Sequence, residues 1–183
     1  DDATPLVVMG YLNPLLTYGL AGFAADAADA GIDGLIIVDC PPEEAAPLAA
    51  ALDRHGLALI RLATPTSDEA RLRLLTAGAR GFLYYVSVTG VTGGREVDAE
   101  RIAPAVELAR RIGGLPVAVG FGVRSPDQAA AVARVADAVV VGSALVDILA
   151  AATANGDDPV VGVLATAGDL ARAVHAARGC VGS

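Results

Sequence analysis

The chain has 183 residues, a formal net charge of −8 and 54% apolar residues, and all 13 of its basic residues are arginine. That size suits one domain with a substantial core, and the apolar content argues against disorder. The negative charge argues against a nucleic-acid partner, and the lack of lysine removes Schiff-base, pyridoxal-lysine and P-loop-lysine chemistry from these residues. The opening Asp1-Asp2-Ala3-Thr4-Pro5 is polar, unlike a secretory signal, and no run reaches the roughly 18 apolar residues of a membrane span. The only methionine is Met9, so further sequence is expected upstream.

In chain order, strand-like runs fall at Leu6–Met9, Gly34–Val38, Leu57–Leu62, Gly81–Ser87, Leu115–Gly120 and Ala138–Gly142. Each is short, rich in Val, Ile or Leu and apolar on both faces, the pattern of a parallel strand covered from two sides. Helical segments alternate with them at Leu20–Ala30, Pro42–Arg54, Ser67–Ala77, Asp98–Arg111, Ser125–Val135 and Ala144–Ala152, and Val160–Ala177 reads as a last helix. Asp33, Pro65-Thr66-Ser67 and Ser125-Pro126 supply turns and N-caps, with Pro126 at a first helical position. Six βα units result, at a period of roughly 22–34 residues. They fit either a doubly wound sheet or a (β/α)8 barrel short of two units. In such barrels phosphate commonly sits on the loops after the last two strands, and those loops here carry Gly120-Phe121-Gly122 and Gly142-Ser143, which favours the barrel.

Several strand ends carry chemistry. Gly120, Gly122, Gly142 and Ser143 expose backbone N–H groups suited to a phosphate, and Gly142-Ser143 also opens a helix whose dipole favours an anion. Taken singly, each glycine reads equally well as a turn. Thr89-Gly90-Val91-Thr92-Gly93-Gly94 reads either as a lid or as a surface connection. Of Tyr84 and Tyr85, one faces the barrel interior and the other the helices, because strand side chains alternate. Asp39 ends a strand, where barrel active sites lie, and reads equally well as a cap for the following turn. Glu43-Glu44, Asp68-Glu69, Arg71 and Arg73 read as solvation and helix-dipole residues. His55 and His175 are the only histidines, which argues against a multi-histidine metal site. Cys40 and Cys180 form no metal or CxxC spacing, so a reduced, cytoplasmic setting is expected.

With these residues in view, the chain resembles the tryptophan synthase alpha family. The matching segments, in order, are Leu6-Val-Val-Met-Gly-Tyr-Leu-Asn-Pro14, Gly31–Glu44, Arg61–Thr66, Tyr84-Tyr-Val-Ser-Val-Thr-Gly-Val-Thr-Gly93, Pro116–Gly122 and Val141–Leu145. The resemblance implies a (β/α)8 TIM barrel that these residues enter at the third strand, giving one partial barrel domain over residues 1–183 with strands 3 to 8. It implies a lyase of tryptophan biosynthesis, performing retro-aldol cleavage of indole-3-glycerol phosphate to indole and glyceraldehyde 3-phosphate. It further implies an α2β2 complex whose β subunit carries the pyridoxal cofactor, with none in this subunit. Gly93, Gly122, Gly142 and Ser143 would bind the substrate phosphate. Tyr84 would line the pocket, Thr92 would lie on a lid, and Leu62 and Phe121 would pack around the substrate. Asp39 and Pro41 would lie near the β-subunit face.

The family's proton-transfer Glu and its companion Asp align before Pro5, so no catalytic residue is assigned within the chain. General acid–base catalysis contributes about 10²–10⁴-fold per group, so these residues alone are expected to be nearly inactive. The open sheet edges are expected to make the isolated chain poorly soluble or molten. The alternatives are a non-catalytic phosphate-binding or β-subunit-docking fragment, and a different phosphate-binding barrel such as a sugar-phosphate epimerase.

Overall fold

The structure is a computed structural model that describes residues 4–87, 98–120 and 122–179. Six strands, β1 (Val7–Gly10), β2 (Gly34–Ile37), β3 (Ala58–Ala63), β4 (Leu83–Val86), β5 (Val117–Gly120) and β6 (Ala138–Val140), form one sheet. Every neighbouring pair is parallel, and the order in space is the order in sequence. A doubly wound sheet reverses direction at a switch point, so sequential order decides against it. The sheet curls into a half-barrel. The strands fall within two residues of the runs read from the sequence.

The helices are α1 (Leu12–Tyr18), α2 (Leu20–Asp29), α3 (Ala46–Asp53), α4 (Glu69–Thr76), α5 (Ala99–Gly113), α6 (Pro126–Ala133), α7 (Ser143–Asn155) and α8 (Pro159–Gly179). Two differ from the sequence reading. Helix α1 is additional; Gly19, at φ +95°, breaks it from α2. Helix α3 begins at Ala46 rather than Pro42, because Pro42–Glu44 form a turn closed by Glu44 N–H on the Pro41 carbonyl. Ser125 caps α6 in a reciprocal box with Gln128, with Pro126 in the first turn, as the sequence indicates. Helix α8 is long and apolar enough by composition to cross a membrane. It lies along α6 and α7 and buries Leu170 and Ala177.

The core is unequal on the two sheet faces. Two clusters occupy the helix-facing side. One, around Leu35, Leu48 and Leu52, joins α2 and α3 to β2; the other, around Leu72, Leu83, Val106 and Val119, joins α4, α5 and α6 to β4 and β5. The interior face has one small cluster, Ile36, Ile60 and Tyr84, with Leu62, Val86 and Val140 packed against it. At the edge of the fan, β1 leaves Val8 and Met9 exposed.

The N-terminal ends of the strands are tied by side chains. Asp33 accepts from Leu6 N–H at 2.7 Å, linking the starts of β1 and β2. Asp137 does the same for β5 and β6, accepting from Val117 N–H at 2.8 Å and from Arg110 Nε at 3.0 Å. Arg80, before β4, donates to the Leu57 carbonyl at 2.8 Å and to Asp53 at 3.0 Å.

Candidate functional site

The opposite, C-terminal ends of the strands form the mouth of the half-barrel, where parallel barrels place their sites. Alternation along β4 settles the orientation of the paired tyrosines. Tyr84 joins the interior cluster, and Tyr85 packs with the helix-facing one. Leu62 is the direct register partner of Tyr84 and lies on the same interior face. The structure therefore brings these two predicted pocket residues together.

Gly120, at the end of β5, is held to glycine by Tyr84. A Cβ there would overlap the phenol oxygen, come 2.6 Å from its Cζ and approach the Val140 Cβ at 3.1 Å. The phenol thus lies across the β5 backbone at the mouth. Tyr84 is buried, and burial pushes its phenol above the ordinary value, so it stays protonated at neutral pH and remains a hydrogen-bond donor. Ser87, one residue beyond β4, is buried and donates its hydroxyl to the Gly120 carbonyl at 2.9 Å, fixing the same corner.

The predicted phosphate residues on β5 and β6 follow from the register. Gly120 pairs with Val140, so Gly122 and Gly142 each lie two residues past a paired position on adjacent strands. Gly122 has φ +83°, in the left-handed region that favours glycine. Gly142 has open space where a side chain would be, and it precedes α7. Leu145 and Val146 N–H close onto the Gly142 carbonyl, and no acidic residue occupies the first turn of α7. An anion approaching Ser143 therefore meets a helix N-terminus with no competing carboxylate there. Thr92, Gly93 and Phe121 lie outside the described residues.

Asp39 has a role the sequence reading did not reach. Its Oδ1 accepts from Leu12 N–H at 2.7 Å, so it caps α1 on the neighbouring unit rather than its own following turn. Asp68 caps α4 by accepting from Arg71 N–H at 2.8 Å, Glu69 pairs with Arg73 at 2.5 Å, and Glu43 pairs with Arg71. These acidic residues are the capping and surface groups that the sequence indicates. Arg61 was hidden inside an apolar run. It is the one charge on β3, and its signal was the interruption of the sequence Leu59-Ile60-Arg61-Leu62.

Sequential parallel strands, helices on the outer face and a glycine-lined mouth define an α/β protein of the parallel-barrel class. Comparison with known proteins narrows this. A sequence model of the family described as "Tryptophan synthase alpha chain" matches residues 1–175. The chain belongs to that family. The tryptophan synthase alpha chain of Phenylobacterium zucineum is 61% identical over 178 residues, covering 97% of this chain and 64% of that relative. The crystal structure of the alpha chain from Legionella pneumophila superposes with a TM-score of 0.86 at 36% identity, over 96% of this chain and 64% of that one. A chain from the tryptophan synthase α2β2 complex of Pyrococcus furiosus gives a TM-score of 0.75 at 34% identity, over 96% and 67%. The chain thus spans about 64% of the length of the first of these relatives.

Proposed function

We propose that these residues form the phosphate-gripping two-thirds of a tryptophan synthase alpha subunit. Its reaction is retro-aldol cleavage of indole-3-glycerol phosphate to indole and glyceraldehyde 3-phosphate. In this reading the six strands are the third to eighth of a (β/α)8 barrel, and residues 1–183 make one partial barrel domain. The observation that carries the reading is the mouth itself: Tyr84 and Leu62 face inward beside the rim where Gly122, Gly142 and Ser143 end adjacent strands.

The chemistry divides by position. The amides at Gly122, Gly142 and Ser143 hold the dianionic phosphate, Gly93 and Thr92 close over it, and Leu62, Tyr84 and Phe121 surround the indole. Holding the phosphate and the ring at once fixes the glycerol chain between them and lowers the entropic barrier to cleavage. Breaking the C–C bond also needs an acid at the indole carbon and a base for the leaving hydroxyl proton. In the family these are a Glu and an Asp that align before Pro5, so in this reading proton transfer is supplied from outside these 183 residues, and the Tyr84 phenol orients the substrate. The subunit uses no cofactor of its own, works in the cytoplasm, and passes indole to a pyridoxal-carrying β subunit, with Asp39 and Pro41 near that face.

Indole release tests this. The 183-residue chain alone is expected to give a rate near background. Supplying the two preceding βα units, with their Glu and Asp, should raise it at least about 10²-fold. Unchanged release on adding them would overturn the reading, as would full turnover by the chain alone.

A further inference from the structure

We propose that Arg61 anchors a second anion site, which takes a small carboxylate or phosphate and is separate from the β5–β6 rim. On β3, Ile60 and Leu62 join the interior cluster, whereas Leu59 and Ala63 join the helix-facing clusters. Alternation places Arg61 with the latter pair, on a face otherwise given over to core. Arg61 lines a cavity of about 860 Å³ at the ends of β2 and β3, which reaches Leu62 and Val86 of the interior face on its other side. That volume falls within the roughly 300–1,000 Å³ of small-molecule sites.

Arg61 is half-buried, and no described residue accepts a hydrogen bond from it, so its charge is satisfied by solvent or by a bound anion. The carboxylates around the cavity are engaged elsewhere. Asp39 holds Leu12 N–H, Asp68 holds Arg71 N–H, and Glu43 pairs with Arg71. The Cys40 thiol lies near Arg61, but burial and the nearby Asp39 and Glu44 carboxylates push it up against the pull of Arg61, so it offers no counter-charge. The same burial pulls Arg61 below its ordinary value, as expected of a cation without a counter-charge. The same cavity is lined by a hydroxyl cluster, with Thr64 Oγ1 2.9 Å from Thr66 Oγ1 and 3.3 Å from Ser67 Oγ. A guanidinium fork with rotatable hydroxyl donors matches a carboxylate or phosphate, and Leu59 and Leu75 offer apolar walls for a short organic body.

The experiment is an NMR titration of the chain completed by the two preceding βα units, with inorganic phosphate and, separately, succinate, following the Arg61 Nε–H resonance and the amides of Thr66 to Asp68. Saturable shifts of these signals are expected with at least one probe, and the probe that binds tighter identifies the ligand chemistry. Arg61→Gln should weaken binding about tenfold or more, the loss of one charge-assisted hydrogen bond, while Arg61→Lys retains part of it. Ser143→Asp, which blocks the β5–β6 rim, should leave the Arg61 response unchanged, so failure of this site is distinguishable from failure of the proposed function. Absence of a saturable Arg61 shift with either probe would overturn the proposal. So would an equal response in a folded Arg61→Gln chain; should that variant not fold, the wild-type Arg61 resonance decides.

Discussion

At the N-terminal rim of the strand fan, charged side chains satisfy backbone groups. Asp33 and Asp137 each bridge two strand starts, and Arg80 reaches the Leu57 carbonyl. At the C-terminal rim Asp39 and Ser87 do the same for Leu12 N–H and the Gly120 carbonyl, but other groups are left open. Gly122 and Gly142 carry no side chain, the first turn of α7 has no carboxylate, and Arg61 has no acceptor among the described residues. Among the described residues, the N-terminal rim commits its charged side chains to backbone groups, and the C-terminal rim does so only in part. On the proposed function, this difference lets the sheet be tied most firmly at the end opposite the substrate.

The contrast can be broken by placing changes on each rim. The largest effect is expected from Ser143→Asp, which sets a carboxylate against the incoming phosphate. Binding of glycerol 3-phosphate, read by calorimetry, should weaken more than about a hundredfold, because juxtaposed like charges cost several kcal/mol. Stability should hold or rise slightly, since an acidic residue suits a helix start. A loss of stability with binding intact would reverse the assignment of the two rims.

Next comes Gly120→Ala. Its methyl would displace the Tyr84 phenol, at a cost of about 1–3 kcal/mol in denaturant unfolding. Tyr84→Phe should recover only part of that loss, because the ring Cζ also stands within 2.6 Å of the new methyl. Additive effects in the double-variant cycle would mean that the two residues do not meet.

On the N-terminal rim, Asp137→Asn should cost about 1–2 kcal/mol and leave ligand binding unchanged. The effect depends on pH in a defined direction. Burial alone would push the Asp137 carboxyl up, but the Val117 N–H and the Arg110 guanidinium outweigh it and hold the carboxyl below its ordinary range. A depressed folded-state value means that the stabilisation is full above the unfolded value near 3.9 and is lost as pH falls through the folded one. The Asn variant should therefore show a shallower acid limb in unfolding curves. The smallest effect is expected from Asp147→Asn. It breaks the exposed Arg124 pair and should change stability by no more than about 0.5 kcal/mol.

Much of this was legible in the sequence because parallel strands buried on both faces leave continuous Val, Ile and Leu runs, and because Ser125-Pro126 announces a helix start. What was not legible depends on distant partners. Helix α1 lacks a local signal. Its Leu12-Asn-Pro-Leu-Leu-Thr-Tyr18 has no polar–apolar period, and its start is capped by Asp39, 27 residues away. The choice between Tyr84 and Tyr85 needed the strand register, which places Tyr84 beside Leu62 and over Gly120. Asp33 reads locally as a turn residue, and only the fold shows it reaching Leu6. Arg61 was concealed because a single charge in an apolar run is easily read past.

The account rests on where the substrate phosphate lies. A crystal structure of the chain completed by the two preceding βα units and bound to indole-3-glycerol phosphate is the most direct measurement. The account predicts phosphate oxygens about 3 Å from the amides of Gly122, Gly142 and Ser143, with the indole ring between Leu62 and Tyr84. A phosphate seated against Arg61, or anywhere else away from the ends of β5 and β6, would contradict it.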